Sequence, residues 1–259
     1  MAHPLDGCRL KLVRARAHYT DLRRDIARVI GKERDCAPGV YEATGNEYVF
    51  KAPRAMAPKP EWSAIVGDAI HNVHAALDYL VAELVAANSG AEDRSYTGFP
   101  IFEDEAKYRT DADRKIKGVH QDAKAIIERL QPFKVPMRDG HPSEHPLAFL
   151  YKLEVRDKHK TLNVTTNTID VRLHGFAINF PSEGPFGFPI GPHEKGAIMA
   201  RLQKVGGPGL SPWLEVEHKI VFAADGPAAG EEVCPTVLKI LHHVETRVLP
   251  SFTRFFDAG

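Results

Sequence analysis

The sequence predicts an α+β fold, an antiparallel helical bundle with a small antiparallel β-sheet inserted before the C-terminal helix. Apolar residues recur at helical spacing over much of residues 8–160, the period changes to alternation after Lys160, and a helical stripe returns at 231–249. With 259 residues, 43% of them hydrophobic, the chain can bury a substantial core.

In chain order, Leu12, Ala15, Tyr19, Leu22, Ile26 and Val29 share one stripe over residues 8–33, with Arg14, Arg16, Arg23 and Arg24 off it. The segment "VYEATGNEYVF" at 40–50 predicts a short hairpin around a Gly-Asn turn. After a proline-rich connector, residues 61–88 form a long helix ended by Asn88 and Gly90. "TGFPIF" reads as an irregular loop. Residues 119–131 form a further helix on Val119, Ala123, Ile126, Ile127 and Leu130, and "HPLAFLYKLEVRDKHK" another, with Pro146 in its first turn. "TIDVRLHGFAINF", "GAIMARLQ" and "WLEVEHKIVFAAD" then predict strands separated by Gly- and Pro-rich loops. Val233, Val237, Ile240, Leu241, Val244 and Val248 stripe the closing helix, which Pro250 ends or kinks. We read 1–259 as a single domain: a mainly helical bundle over residues 1–160 with the short hairpin near 40–50, a β-rich insertion over 161–230, and a C-terminal helix within 231–257 that returns to the bundle.

Charge narrows the function classes. The 34 basic and 34 acidic residues balance, so the whole chain lacks the footprint of a dedicated nucleic-acid binder. The first helix is an exception: nine basic and three acidic residues between Arg9 and Arg34 give it a net +6, which keeps an RNA contact open. Three scattered cysteines suit reduced thiols, there is no signal-peptide core, and no apolar run is long enough to span a membrane. The expectation is a cytoplasmic protein without a membrane partner, and a homodimer stays open.

The stretch "GDAIHNVHAALDYL" at 67–80 carries the candidate site. At about 100° per residue, Asp68, His71, Asn72, Asp78 and Tyr79 share a face about 120° wide, with His74 on its edge. Ile70, Val73, Leu77, Val81 and Leu84 face the opposite way. A merely solvated face favours Lys, Glu, Arg and Gln, whereas short polar residues beside alanines suit close approach of a helix or ligand. Asp68 and His71 are three apart and His74 and Asp78 four apart, so each imidazole has a carboxylate within reach. In the 146–158 helix, Asp157 falls inside the apolar stripe between Leu150 and Leu153, where a carboxylate needs partners. We therefore expect Asp157 and His159 to approach the Asp68, His71, Asn72 and Asp78 face. The catalytic candidates are His71 as proton carrier, Asp68 or Asp78 as its orienter, Asp157 and His159; Asn72, His74, Tyr79 and Lys158 are the ligand-binding candidates.

The segments "WSAIVGDAIHNVHAALDYLVAELV", "TGFPIF", "KIKGV", "LQPF" and "RDKHK" resemble a family of uncharacterised bacterial proteins, mainly actinobacterial, marked by GDxxHNxRxALDHL and a later DKH. The resemblance spans roughly residues 60–160 and implies no particular activity. His74 stands where that pattern has Arg, and Tyr79 where it has His. In architecture the chain also resembles HEPN-type helical bundles, several of which are metal-independent ribonucleases using Arg-x4-6-His. Two such spacings occur, Arg114 to His120 and Arg138 to His145, but glycine or proline interrupts both.

Other motifs carry less. "HPSEH" has the letters of a zinc signature, but Gly140, Pro142 and Pro146 make it a loop rather than the helix that site requires. His242 and His243 lie off the C-terminal stripe and are expected in solvent. No metal site and no particular cofactor is implied, and no P-loop, dinucleotide fingerprint or nucleophile elbow occurs. Three function classes stay open: a pocket for a small polar or nucleotide-like ligand with acid-base chemistry, a noncatalytic structural or interaction protein, and a HEPN-like ribonuclease.

Overall fold

The computed structural model describes residues 3–31, 35–52, 57–89, 98–135, 141–174, 194–203 and 211–256. It is α+β, as predicted. Six α-helices are described: α1 (Asp6–Ile30), α2 (Pro60–Ser89), α3 (Glu105–Lys115), α4 (Gln121–Arg129), α5 (Pro146–His159) and α6 (Val233–His243). Five strands accompany them: β1 (Asp35–Glu42), β2 (Glu47–Lys51), β3 (Val164–His174), β4 (Ile198–Gln203) and β5 (Trp213–Phe222).

α2 is the central helix, and its sequence explains why. Val66, Ala69, Ile70, Val73, Ala76, Leu77, Leu80 and Val81 are all buried, too broad an apolar surface for one neighbour to cover. α1, α5 and α6 share that burial. α1 runs antiparallel to α2: near one end the Asp25 carboxylate accepts from Lys59 Nζ at 2.8 Å and Trp62 Nε1 at 2.7 Å. Near the other, Lys11 Nζ lies 5.7 Å from the Tyr79 ring centroid. α1 ends at Gly31, whose N–H still donates to the Ala27 carbonyl while its φ of 79° turns the chain out of the helix.

Three differences from the sequence reading have physical causes. α3 was not expected, because it buries only Tyr108 and Ala112 and so shows no apolar stripe; an Asp104 N-cap accepting from Lys107 N at 2.8 Å starts it instead. The hairpin at 40–50 forms, with Asn46 left-handed at φ 50°, yet it is not separate from the later strands. The sheet order is β3-β5-β1-β2-β4, every pairing antiparallel, so β1 and β2 sit between β5 and β4. Ala37, Tyr48, Phe50, Ala52, Met199 and Leu214 give this sheet a small core of its own. Finally, the closing helix changes form. α6 passes into a π-turn at Val244–Val248 and 3-10 turns at Leu249–Phe255, because Pro250 has no N–H to continue the ladder. The expected strand at 175–180, the end of α2 at Gly90 and Arg138 lie outside the described residues.

Candidate functional site

α5 packs antiparallel on the polar side of α2, and the pairings descend along both helices. Asp157 meets α2 at Gly67, where a built Cβ would stand only 2.6 Å from either carboxylate oxygen. One turn further on, His71 Nδ1 lies 3.2 Å from Glu154 Oε1, and the same oxygen is 3.0 Å from Lys158 Nζ. Glu154 is 2% exposed and His71 59% exposed, so a buried carboxylate grips one edge of a ring that faces solvent.

Charge state follows from these partners. Burial alone would raise the Glu154 pKa. The hydrogen bonds from Lys158 and His71, with the nearby His74, outweigh burial and hold it below the usual glutamate value. An ionised carboxylate can only accept, so His71 Nδ1 carries the hydrogen. In the neutral ring the lone pair is therefore on Nε2, which has no hydrogen-bond partner among the described residues. Asp157 is displaced the other way. Burial, then the negative charges of Glu154 and Asp68, raise its pKa, with His71 opposing. Two acids one helical turn apart are thus driven toward opposite protonation states, the condition that separates a base from an acid.

The sequence-predicted residues divide between this cluster and other tasks. Asp157 approaches this face of α2 as expected, with Asp68 close enough to bias it, and Lys158 joins His71 through their shared partner Glu154. The expected orienter is corrected: Glu154 holds His71, whereas Asp68 is exposed and Asp78 is occupied elsewhere. Asp78 Oδ1 accepts from Phe99 N at 2.9 Å, and Oδ2 lies 3.4 Å from His74 Nδ1. Asn72 turns back on its own helix, Nδ2 donating to the Asp68 carbonyl at 2.8 Å. Tyr79 leans toward α1, 3.2 Å from where a Gly7 Cβ would be. His159 ends α5 in solvent and makes no hydrogen bond or ion pair among the described residues, so it does not join the face.

Sequence reasoning missed two groups. Glu154 was legible by the rule that exposed Asp157, since it falls about 40° from Leu150, between Leu150 and Leu147 on the α5 wheel. Lys115, at the end of α3, is the other: its Nζ lies 5.8 Å from the Phe102 ring and 5.9 Å from the Tyr151 ring. Burial lowers its pKa, Asp78 opposes, and Arg114 and Lys158 add to the lowering.

"TGFPIF" is fixed by side chains at residues 98–102. Beside the Asp78 bond, the buried Gln131 donates to the Pro100 carbonyl at 2.8 Å and accepts from Phe102 N at 3.0 Å. "HPSEH" is a 3-10 turn at Pro142–Glu144 followed by the N-cap of α5, where His145 Nδ1 accepts from Leu147 N at 3.2 Å. His243 is not fully in solvent as expected. Its ring meets His145 edge-on with centroids 4.8 Å apart, and its Nε2 is buried without a hydrogen-bond partner. Arg114 closes α3 and His120 caps α4, accepting from Asp122 N, so the two occupy different helices. Among the described residues, no three His, Cys, Asp or Glu side chains converge as for a metal ion. No helix among them is long and apolar enough to cross a membrane.

No model of a known protein family, no curated protein and no solved structure matches this chain.

Proposed function

We propose that the α2–α5 face binds a small polar or nucleotide-like ligand and performs acid-base chemistry on it. The supporting observation is the contact from the buried Glu154 carboxylate to His71 Nδ1 at 3.2 Å, which leaves Nε2 directed away from its orienter on an exposed ring. In this reading His71 Nε2 takes a proton from the ligand, Glu154 fixes the tautomer and balances the imidazolium, and Asp157 supplies a proton. Lys158 attracts the anionic end of the ligand while it neutralises Glu154. Free Cys8 and Cys234 support a cytoplasmic setting within this proposal.

The test is a thermal-shift screen of nucleoside mono- and diphosphates, nucleosides and small carboxylic acids against the wild-type chain and His71→Asn. A compound class that raises the wild-type melting temperature and leaves His71→Asn unmoved supports the site. Equal stabilisation of both proteins, or none of either, rejects it.

A structural reading has its own observation. Asp78 accepts from the Phe99 amide and approaches His74, so that end of the face serves to hold the 98–102 segment. Asp78→Ala should then cost about 2 kcal/mol and leave any ligand bound at His71 unaffected.

A further inference from the structure

A second surface, along α1, is independent of the α2–α5 face. A groove of about 340 Å3 runs between α1 and the turns after α6, floored by Leu5, Leu12, Val13, Leu249 and Pro250. A further hollow of about 540 Å3 continues along α1 past Tyr19, Thr20 and Ala27. Arg9, Val13, Arg16, Thr20, Arg23 and Ala27 fall within about 80° of one another on the α1 wheel, so the two hollows open on the same side of α1, a trough in two parts spanning roughly 27 Å of the helix. Val13 is a large apolar residue left 63% exposed in its floor. The opposite wall of the first hollow includes Glu245 of the π-turn at Val244–Val248, a backbone form often found at functional positions.

The charge of the trough selects its occupant. Arg9, Arg16, Arg23, Arg24 and Arg28 line it, against Glu245 as the one acid among the described lining residues. Glu245 pairs with Arg16, Asp6 with Arg9 and Asp21 with Arg24, while Arg23 and Arg28 have no ion pair among the described residues. A second copy of this chain would set the same arginine row against itself, which like charges oppose. The phosphates of a nucleic acid would use the arginines but have no use for an apolar floor. A helix with apolar anchors at i, i+3, i+4 and i+7 and carboxylates along its flanks meets both requirements. We propose that the trough along α1 is a docking groove for an acidic amphipathic helix of a partner protein.

The test is fluorescence anisotropy on the full chain with a labelled helical peptide of about 18 residues, built from Leu, Ala and Glu with Leu at those spacings. A scrambled peptide of the same composition, a uridine oligonucleotide and phosphatidylserine–phosphatidylcholine vesicles are the comparisons. Val13→Glu and Arg23→Glu change exposed side chains, and thermal melts confirm that both variants fold. The expected result is saturable binding about tenfold tighter for the patterned than for the scrambled peptide, weakened about tenfold by each variant. Equal binding of the two peptides, no binding, or indifference to Val13→Glu overturns the proposal. Tighter binding of the oligonucleotide or the vesicles also overturns it, and reassigns the arginines to phosphate contact.

Discussion

The Asp157 carboxylate rests on the bare backbone of Gly67, at a distance that leaves no room for a side chain there. Glycine inside a helix normally costs about 1 kcal/mol relative to alanine. At this position the contact reverses the sign: Gly67→Ala forces Asp157 or the α2–α5 spacing to move and should cost about 1–3 kcal/mol in urea unfolding. In an Asp157→Ala background the obstruction is gone, and the same substitution should stabilise by up to about 1 kcal/mol. A Gly67→Ala effect of equal sign and size in both backgrounds would show that the contact has no energetic weight.

Glu154 makes the companion prediction. Glu154→Gln keeps the shape and removes the charge that Lys158 and His71 share, so stability should fall by about 1–2 kcal/mol. More diagnostic is the His71 ring. Nitrogen-15 shifts of wild-type His71 in its neutral form should report the hydrogen on Nδ1, and in Glu154→Gln the tautomer ratio should move toward Nε2–H. An unchanged ratio would remove Glu154 as the orienter and with it the acid-base reading.

Asp157 contributes in the opposite sense to stability. Burial and the charges of Glu154 and Asp68 raise its pKa, so the folded state holds its proton more tightly than the unfolded chain does. The ionised group therefore destabilises the fold near pH 7, and that cost is relieved as pH falls through the raised value. Asp157→Asn should raise stability at pH 7 by up to about 1 kcal/mol, with the advantage shrinking as pH falls through the raised value and gone below the ordinary aspartate value. A pKa raised by burial beside the His71–Glu154 pair is the direction that lets a carboxyl keep a proton for donation. Loss of stability at pH 7 would instead make Asp157 a structural partner of α2.

Periodicity shows which residues turn inward, and here it made the bundle and three of the strand segments readable before any geometry. α3 escaped because its start depends on one N-cap and its burial on two residues. The pairing of β2 with β4 and of β1 with β5 joins segments about 150 to 180 residues apart, which no local pattern encodes. At the site, the wheel singled out Asp157 for lying among leucines, and the same wheel holds Glu154 a few tens of degrees away. The polar face of α2 was legible as a face but not in its division of labour. Which of Asp68, Asp78 and Glu154 reaches His71 depends on how α5 lies across α2. The grip of Asp78 and Gln131 on residues 98–102 depends on side chains bonding distant backbone, which leaves no repeat in the sequence.

His145 and His243 give the last prediction, one that rests on no assumption about function. Burial lowers both rings to a pKa of about 4, with His243 and Lys239 adding positive charge beside His145, and Arg247, His242 and Lys239 beside His243. Each ring is therefore neutral in the fold at a pH where the unfolded chain would bind a proton. His145 has a further reason to stay neutral, because its Nδ1 must accept from the Leu147 amide to cap α5. The stabilisation is fully present above pH 6.5, the unfolded value, and is lost as pH falls from about 6.5 to about 4. With about 3 kcal/mol at stake for each ring, the wild-type unfolding free energy should drop by roughly 5 kcal/mol across that window, most of it above pH 5, where the ordinary carboxylates are still largely ionised. His243→Phe keeps a ring against His145 and removes one titrating group, so it should flatten the profile between pH 6.5 and pH 4 by about half. Urea midpoints measured at half-unit pH steps decide the matter: a wild-type curve already flat over that range would show that the two rings are protonated inside the fold.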